Sequence, residues 1–227
     1  MVGAVINEAE ADIGTYIVSY GGSGSKLVTR LFHDGKSPEF LERAHVHWRY
    51  PPPAPTSGTR FIYVFGDPRN TVISFFQRRE SRHANHGFAA PANAAVPMPR
   101  FVQWALRNLQ CSTTDVPEHL DLESYLAGAT HDVFELEDHV RQWLDRSGEL
   151  DIAFVRYDAL WEHPDAVEKL IGLKAADIPP RVSRRADWTA LPADQQARMN
   201  RIYGEAVAFI DSLPDVFMGR ELLSKTA

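Results

Sequence analysis

The segment Tyr20-Gly21-Gly22-Ser23-Gly24-Ser25-Lys26 sets glycines and serines ahead of a lysine, directly after the β-like run Thr15-Tyr16-Ile17-Val18-Ser19. That is the chemistry of an anion cradle. Glycines let a ligand approach the backbone, successive N–H groups turn inward, and the helix start that follows adds partial positive charge. The spelling departs from the standard phosphate loop, which needs Gly-Lys-Ser/Thr where this chain has Ser25-Lys26-Leu27. Two histidines, His45 and His47, stand two residues apart and share one face if their segment is a strand. An imidazole is suited to take a proton near neutral pH. His83 and His86 have no carboxylate or cysteine at supporting spacing, so a zinc site is not expected.

These residues need elements to position them. Thr15–Ser19 reads as a strand, and the helix after the loop runs to about Phe32. Arg43–Arg49 is a candidate second strand, followed by the breaker Pro51-Pro52-Pro53-Ala54-Pro55. Arg60–Phe65 reads as a buried strand turning at Gly66-Asp67-Pro68, with a helix over Asn70–Arg79. Residues 81–99 show no sustained period and are expected to be a long loop. Helices are predicted over Phe101–Cys111 and Asp132–Arg146, and a strand over Asp151–Tyr157. A helix from His163-Pro164-Asp165 ends at Gly172, and a last long one covers Pro192 to Leu213. Trp104, Trp143 and Trp161 fit core or interface positions.

Strands alternating with helices predict one α/β domain over residues 1–227. The expected architecture is a three-layer sandwich, with a mostly parallel central sheet and helices on both faces. Ligands of such sheets bind outside the carboxyl ends of the strands, where the glycine loop falls. The composition, 44% hydrophobic and 24% charged, is that of an ordinary globular chain. A formal net charge of −6 argues against general nucleic-acid binding. Cys111 is the one cysteine, which excludes an internal disulfide and fits a reducing, cytoplasmic setting. The N-terminal residues lack the pattern of a signal peptide, and no apolar run has the roughly 20 residues of a membrane span.

Four stretches stand in a recognisable order: Tyr20–Lys26, Phe61–Phe76, Ala153–Leu160 and Arg181–Trp188. Together they resemble the sulfotransferase family, which moves a sulfuryl group from 3′-phosphoadenosine 5′-phosphosulfate (PAPS) to a hydroxyl or amine. The resemblance covers most of residues 15–210 and implies a P-loop-like nucleotide-binding fold. It assigns Gly21, Gly22, Ser23, Gly24, Ser25 and Lys26 to the 5′-phosphosulfate loop. The family's lysine falls on Gly22, and Lys26 stands one helical step onward. The family's adenine-stacking tryptophan falls on Leu27. Of the two residues that reach the 3′-phosphate, the serine matches Ser74 and the arginine falls on Gly66. Arg69, Arg184 and Arg185 are the replacements the resemblance leaves, with Tyr157 near the adenine. His45 or His47 is the implied catalytic base, with the spacing slightly favouring His45.

The resemblance implies direct in-line transfer with no metal. The loop amides and Lys26 would hold the leaving phosphate, and residues 81–146 would form the lid and acceptor side. The partners expected are the nucleotide co-substrate and a small-molecule or carbohydrate acceptor. Two alternatives remain open: a P-loop kinase-like phosphotransferase, and a nucleotide-binding protein of this fold that has lost transfer.

Overall fold

The computed structural model describes residues 13–53, 58–85, 99–113, 121–183 and 186–226. It is an α/β fold around a five-stranded sheet. The strands are β1 (Thr15–Val18), β2 (His45–Val46), β3 (Arg60–Phe65), β4 (Asp151–Arg156) and β5 (Val216–Met218), in the order β2-β1-β3-β4-β5. The first four run parallel, and β5 pairs antiparallel with β4, Phe217 facing Phe154. The helices are α1 (Ser25–Phe32), α2 (Pro38–Ala44), α3 (Pro68–Asn85), α4 (Pro99–Asn108) and α5 (Leu122–Gly128). They continue with α6 (Leu136–Asp145), α7 (Ala159–Glu162), α8 (Pro164–Ile171), α9 (Ala193–Ser212) and α10 (Gly219–Thr226).

The near-continuous apolar strands β3 and β4 are buried on both sides, as expected of parallel strands beneath helices. Alternate residues feed two separate clusters. Tyr16, Phe61, Tyr63, Phe65 and Phe154 pack with residues of α3, α4, α6 and α9. Ile17, Ile62, Val64, Ala153 and Val155 pack with residues of α1, α7 and α8. The period of two along each strand divides the core in this way.

Several boundaries differ from the sequence reading, each for a local reason. Arg43 and Ala44 close α2, whose start is set by Ser37 accepting from Phe40 N and by Pro38 at the first position, so β2 is only two residues long. Residues 81–85 continue α3 rather than opening a loop, and 86–98 lie outside the described residues. Asp132 is not helical. Its carboxylate accepts from Phe134 N at 2.9 Å and Leu136 N at 2.7 Å, holding the turn that leads into α6. The helices α2, α5, α7 and α10 and the three-residue β5 escape the sequence reading altogether.

The order β2-β1-β3-β4-β5 has one consequence for ligands. After β1 the chain moves to one side of the sheet, and after β3 it moves to the other. The crevice between the ends of β1 and β3 is therefore the topological switch point, where open α/β sheets bind ligands.

Candidate functional site

The loop 19–25 lies at that switch point. Gly21, Gly22 and Gly24 have φ of +87°, +66° and +83°, the left-handed region that side chains rarely adopt. Gly24 caps α1 with no side-chain hydrogen bond, and no acidic residue stands in the first turn. An anion there meets the helix amides without competition from a carboxylate. Ser23 is turned inward, its hydroxyl donating to Val64 O at 3.1 Å. Lys26 is exposed on the first turn of α1.

Glycine at position 22 has a steric cause. A Cβ there would stand 3.0 Å from Thr71 Cα and 3.2 Å from Thr71 O, both backbone atoms of α3. A lysine at the place the resemblance expects one would be strained on this backbone, by its φ of +66° and by crowding against α3. The same close approach sets Ser74 against the loop, its Cβ 3.3 Å from that position. Gly24 is crowded from the other side, where an added Cβ would fall inside the Tyr157 ring. Tyr157 is held by its own N–H on Phe65 O at 2.8 Å and by an edge contact with Trp161, 5.1 Å between centroids. Ser74 from the helix after β3 and Tyr157 from the end of β4 thus converge on the glycines of the β1 loop.

His45 and His47 complete the cluster from β2. Their rings meet at right angles, 4.6 Å between centroids. His45 Nε2 lies 2.7 Å from Ser25 Oγ, and Ser25 Oγ lies 2.8 Å from Ser19 Oγ. His47 Nδ1 lies 2.7 Å from Ser19 O and 3.2 Å from Ser19 Oγ. Both imidazoles are half-buried beside the loop, and its serines link them.

Arg69, a candidate for the 3′-phosphate, stands in the first turn of α3. Its guanidinium forms a forked pair with Asp67, the shortest contact being 2.7 Å, and donates to Asn200 at 2.7 Å. It also stacks 3.6 Å over the Trp188 ring, while Trp188 N–H donates to Asn70. These contacts tie Trp188 to the start of α3. Arg184 and Arg185 lie outside the described residues. Arg181 upstream of them pairs with Asp158 and Glu162 at 2.7 and 3.2 Å. Gly66, at the place of the family arginine, is closed by Tyr20. The phenol accepts from Gly66 N at 2.9 Å and donates to Gly66 O.

Three buried groups behind the site were invisible to the sequence reading. Arg49, fully buried two residues beyond His47, donates to the carbonyls of Leu109 and Phe134 and pairs with Glu135 and Asp138 at 2.9 and 2.7 Å. It fixes the chain just past the histidines. Its neighbour Cys111 has its thiol pushed up to about 12, chiefly by burial, and is inert at neutral pH. His139 Nδ1 shares a 2.7 Å hydrogen bond with the Tyr63 hydroxyl, and its ring interacts with His47. Burial pushes His139 down to about 3, so it is neutral. Its buried Nε2 has no hydrogen bond of good geometry. No spacing rule marks a lone buried histidine or arginine, because its partners come from distant parts of the chain.

His83 lies in α3 and His86 outside the described residues. Among the described residues no three His, Cys, Asp or Glu side chains converge as metal ligands, and no helix is long and apolar enough to cross a membrane. Comparison of the chain with family models, curated proteins and solved structures returned no match.

Proposed function

We propose that this protein is a sulfotransferase that moves a sulfuryl group from PAPS to a hydroxyl or amine of a small-molecule or carbohydrate acceptor. The observation that carries the reading is convergence at one switch point. A loop with three left-handed glycines, Ser74 against Gly22, Tyr157 against Gly24 and two histidines beside them come from four different strand ends. A P-loop-like cradle with an adjacent base is what in-line transfer requires.

In this reading the amides at the start of α1 and the Lys26 ammonium hold the leaving 5′-phosphate. Ser74 contributes to the 3′-phosphate, with Arg184 and Arg185 as the charge for it. The rim of Tyr157 borders the nucleotide, and the pair His45/His47 takes the acceptor proton. The kinase alternative is weaker, because Leu27 stands where a Mg²⁺-binding hydroxyl belongs.

The reading of a binding protein without transfer has its own observation. Arg69 is spent on Asp67, and the Gly66 backbone is closed by Tyr20, so the 3′-phosphate meets fewer donors than in the family.

Calorimetry with 3′-phosphoadenosine 5′-phosphate (PAP), ATP and AMP side by side separates the readings. Sulfuryl transfer predicts PAP binding at least about ten-fold tighter than AMP, the worth of one charge-assisted hydrogen bond. Equal affinity for AMP and PAP would overturn the 3′-phosphate assignment. Mg²⁺-dependent ATP turnover would favour the kinase. Tight PAP binding with PAPS left intact would favour the binding protein.

A further inference from the structure

The two histidines are wired to the loop in different ways, and the hydrogen bonds carry a direction. Ser19 O is a carbonyl and only accepts, so His47 Nδ1, 2.7 Å away, is the donor. The basic lone pair of neutral His47 is then on Nε2. Ser19 Oγ accepts from Gly21 N–H at 3.1 Å and lies 3.2 Å from the same protonated Nδ1. Ser19 Oγ lies 2.8 Å from Ser25 Oγ, and the buried Ser25 Oγ lies 2.7 Å from His45 Nε2. Whichever atom donates in each pair, His45 Nε2 is engaged by the Ser25 hydroxyl inside the floor of the loop.

We propose that His47 is the proton acceptor of the transfer and His45 a positioning residue that terminates the buried Ser19–Ser25 hydroxyl chain. This rests on the sulfuryl-transfer reading and reverses the preference that motif spacing gives to His45. In the step itself, the acceptor oxygen bonds to sulfur as the bond from sulfur to the nucleotide phosphate oxygen breaks. The electron pair of that bond stays on the phosphate, and the acceptor's proton passes to His47 Nε2. His47 stands beside the loop, its Cε1 3.7 Å from where a Cβ on Gly21 would be. His45 acts on the loop instead. Without its Nε2, the buried Ser25 hydroxyl loses a hydrogen-bond partner and the loop must rearrange to satisfy it.

The test uses the full chain and four variants, with PAP calorimetry and PAPS breakdown to sulfate, water serving as the acceptor. His47→Gln should lower the breakdown rate about 100-fold, the scale of general-base catalysis, with PAP affinity unchanged. His45→Phe and Ser25→Ala should each weaken PAP about 10-fold, and the double variant no further, because they break one chain. His45→Gln, whose amide can pair with the Ser25 hydroxyl in either direction, should recover most of that affinity and the rate. A 100-fold rate loss in His45→Gln but not in His47→Gln would overturn the assignment. Unchanged PAP affinity in His45→Phe would remove the positioning role and leave the function standing. Absence of PAP binding to the wild type would overturn the function and this assignment together. Nitrogen-15 NMR of the wild-type histidines needs no variant to fold: protonated Nδ1 on His47 is expected, and a protonated Nε2 with bare Nδ1 overturns the proposal.

Discussion

Gly24→Ala tests the central packing claim, that the end of β4 bears directly on the glycine loop. Two costs apply. An alanine at φ +83° sits in the left-handed region, which costs about 1–2 kcal/mol for an L-residue. Its Cβ also falls inside the Tyr157 ring, which is braced by Trp161 and must be pushed aside. Overpacking of that kind costs about 1–3 kcal/mol, so the total is roughly 2–5 kcal/mol. Gly35→Ala is the control. It has a similar φ of +75° but nothing within 4 Å of its Cβ position, so it carries the backbone cost alone. Urea unfolding of both variants, of Tyr157→Ala and of Gly24→Ala/Tyr157→Ala closes a double-mutant cycle. The coupling should be about 1–3 kcal/mol, because removing the ring removes the clash. Equal destabilisation at positions 24 and 35, with additivity within about 0.5 kcal/mol, would refute the contact and the convergence argued from it.

Two further outcomes follow from the buried polar groups. Arg49→Leu should cost about 3–5 kcal/mol in urea unfolding, because Glu135, Asp138 and the carbonyls of Leu109 and Phe134 lose their common donor; a loss under about 1 kcal/mol would show that those groups find water. His139 and Asp132 should give opposing pH slopes. The unfolded chain protonates His139 below its ordinary value of 6.5, whereas the folded chain waits until about 3, so stability falls on acidification across that window. Asp132 is pushed by burial from 3.8 to about 6, so the folded chain holds its proton longer and stability falls as pH rises through that window. Each slope is about 1.4 kcal/mol per pH unit, and between about pH 4 and 6 they offset. Asp132→Asn should therefore fall more steeply than the wild type on acidification from pH 6 to 4; parallel curves would remove Asp132 from the account.

What the sequence made legible was whatever is local. The unbroken apolar runs of β3 and β4, the glycines of the loop and Gly172 ending α8 at φ +78° were all readable from neighbours in the chain. Short elements were not: β5 has three residues, and its antiparallel place beside β4 depends on Phe217 stacking on Phe154, 63 positions earlier. At the site, residue types at the loop and at 45 and 47 were visible, but not how they are connected. The surroundings of Arg69 were hidden for the same reason, since only the fold reveals that Trp188 and Asn200 meet its guanidinium alongside Asp67.

Arg49 also sets the order in which the molecule can be made. Its carbonyl and carboxylate partners stand 60 to 89 positions further along the chain. Closing so large a span is entropically costly, and a bare guanidinium is expensive to bury beforehand. The strand end bearing the histidines therefore has no lasting place until α4 has docked and the turn into α6 has formed. A nascent or partly unfolded chain can show the glycine turn but not the two-histidine arrangement, which arrives only with the completed fold.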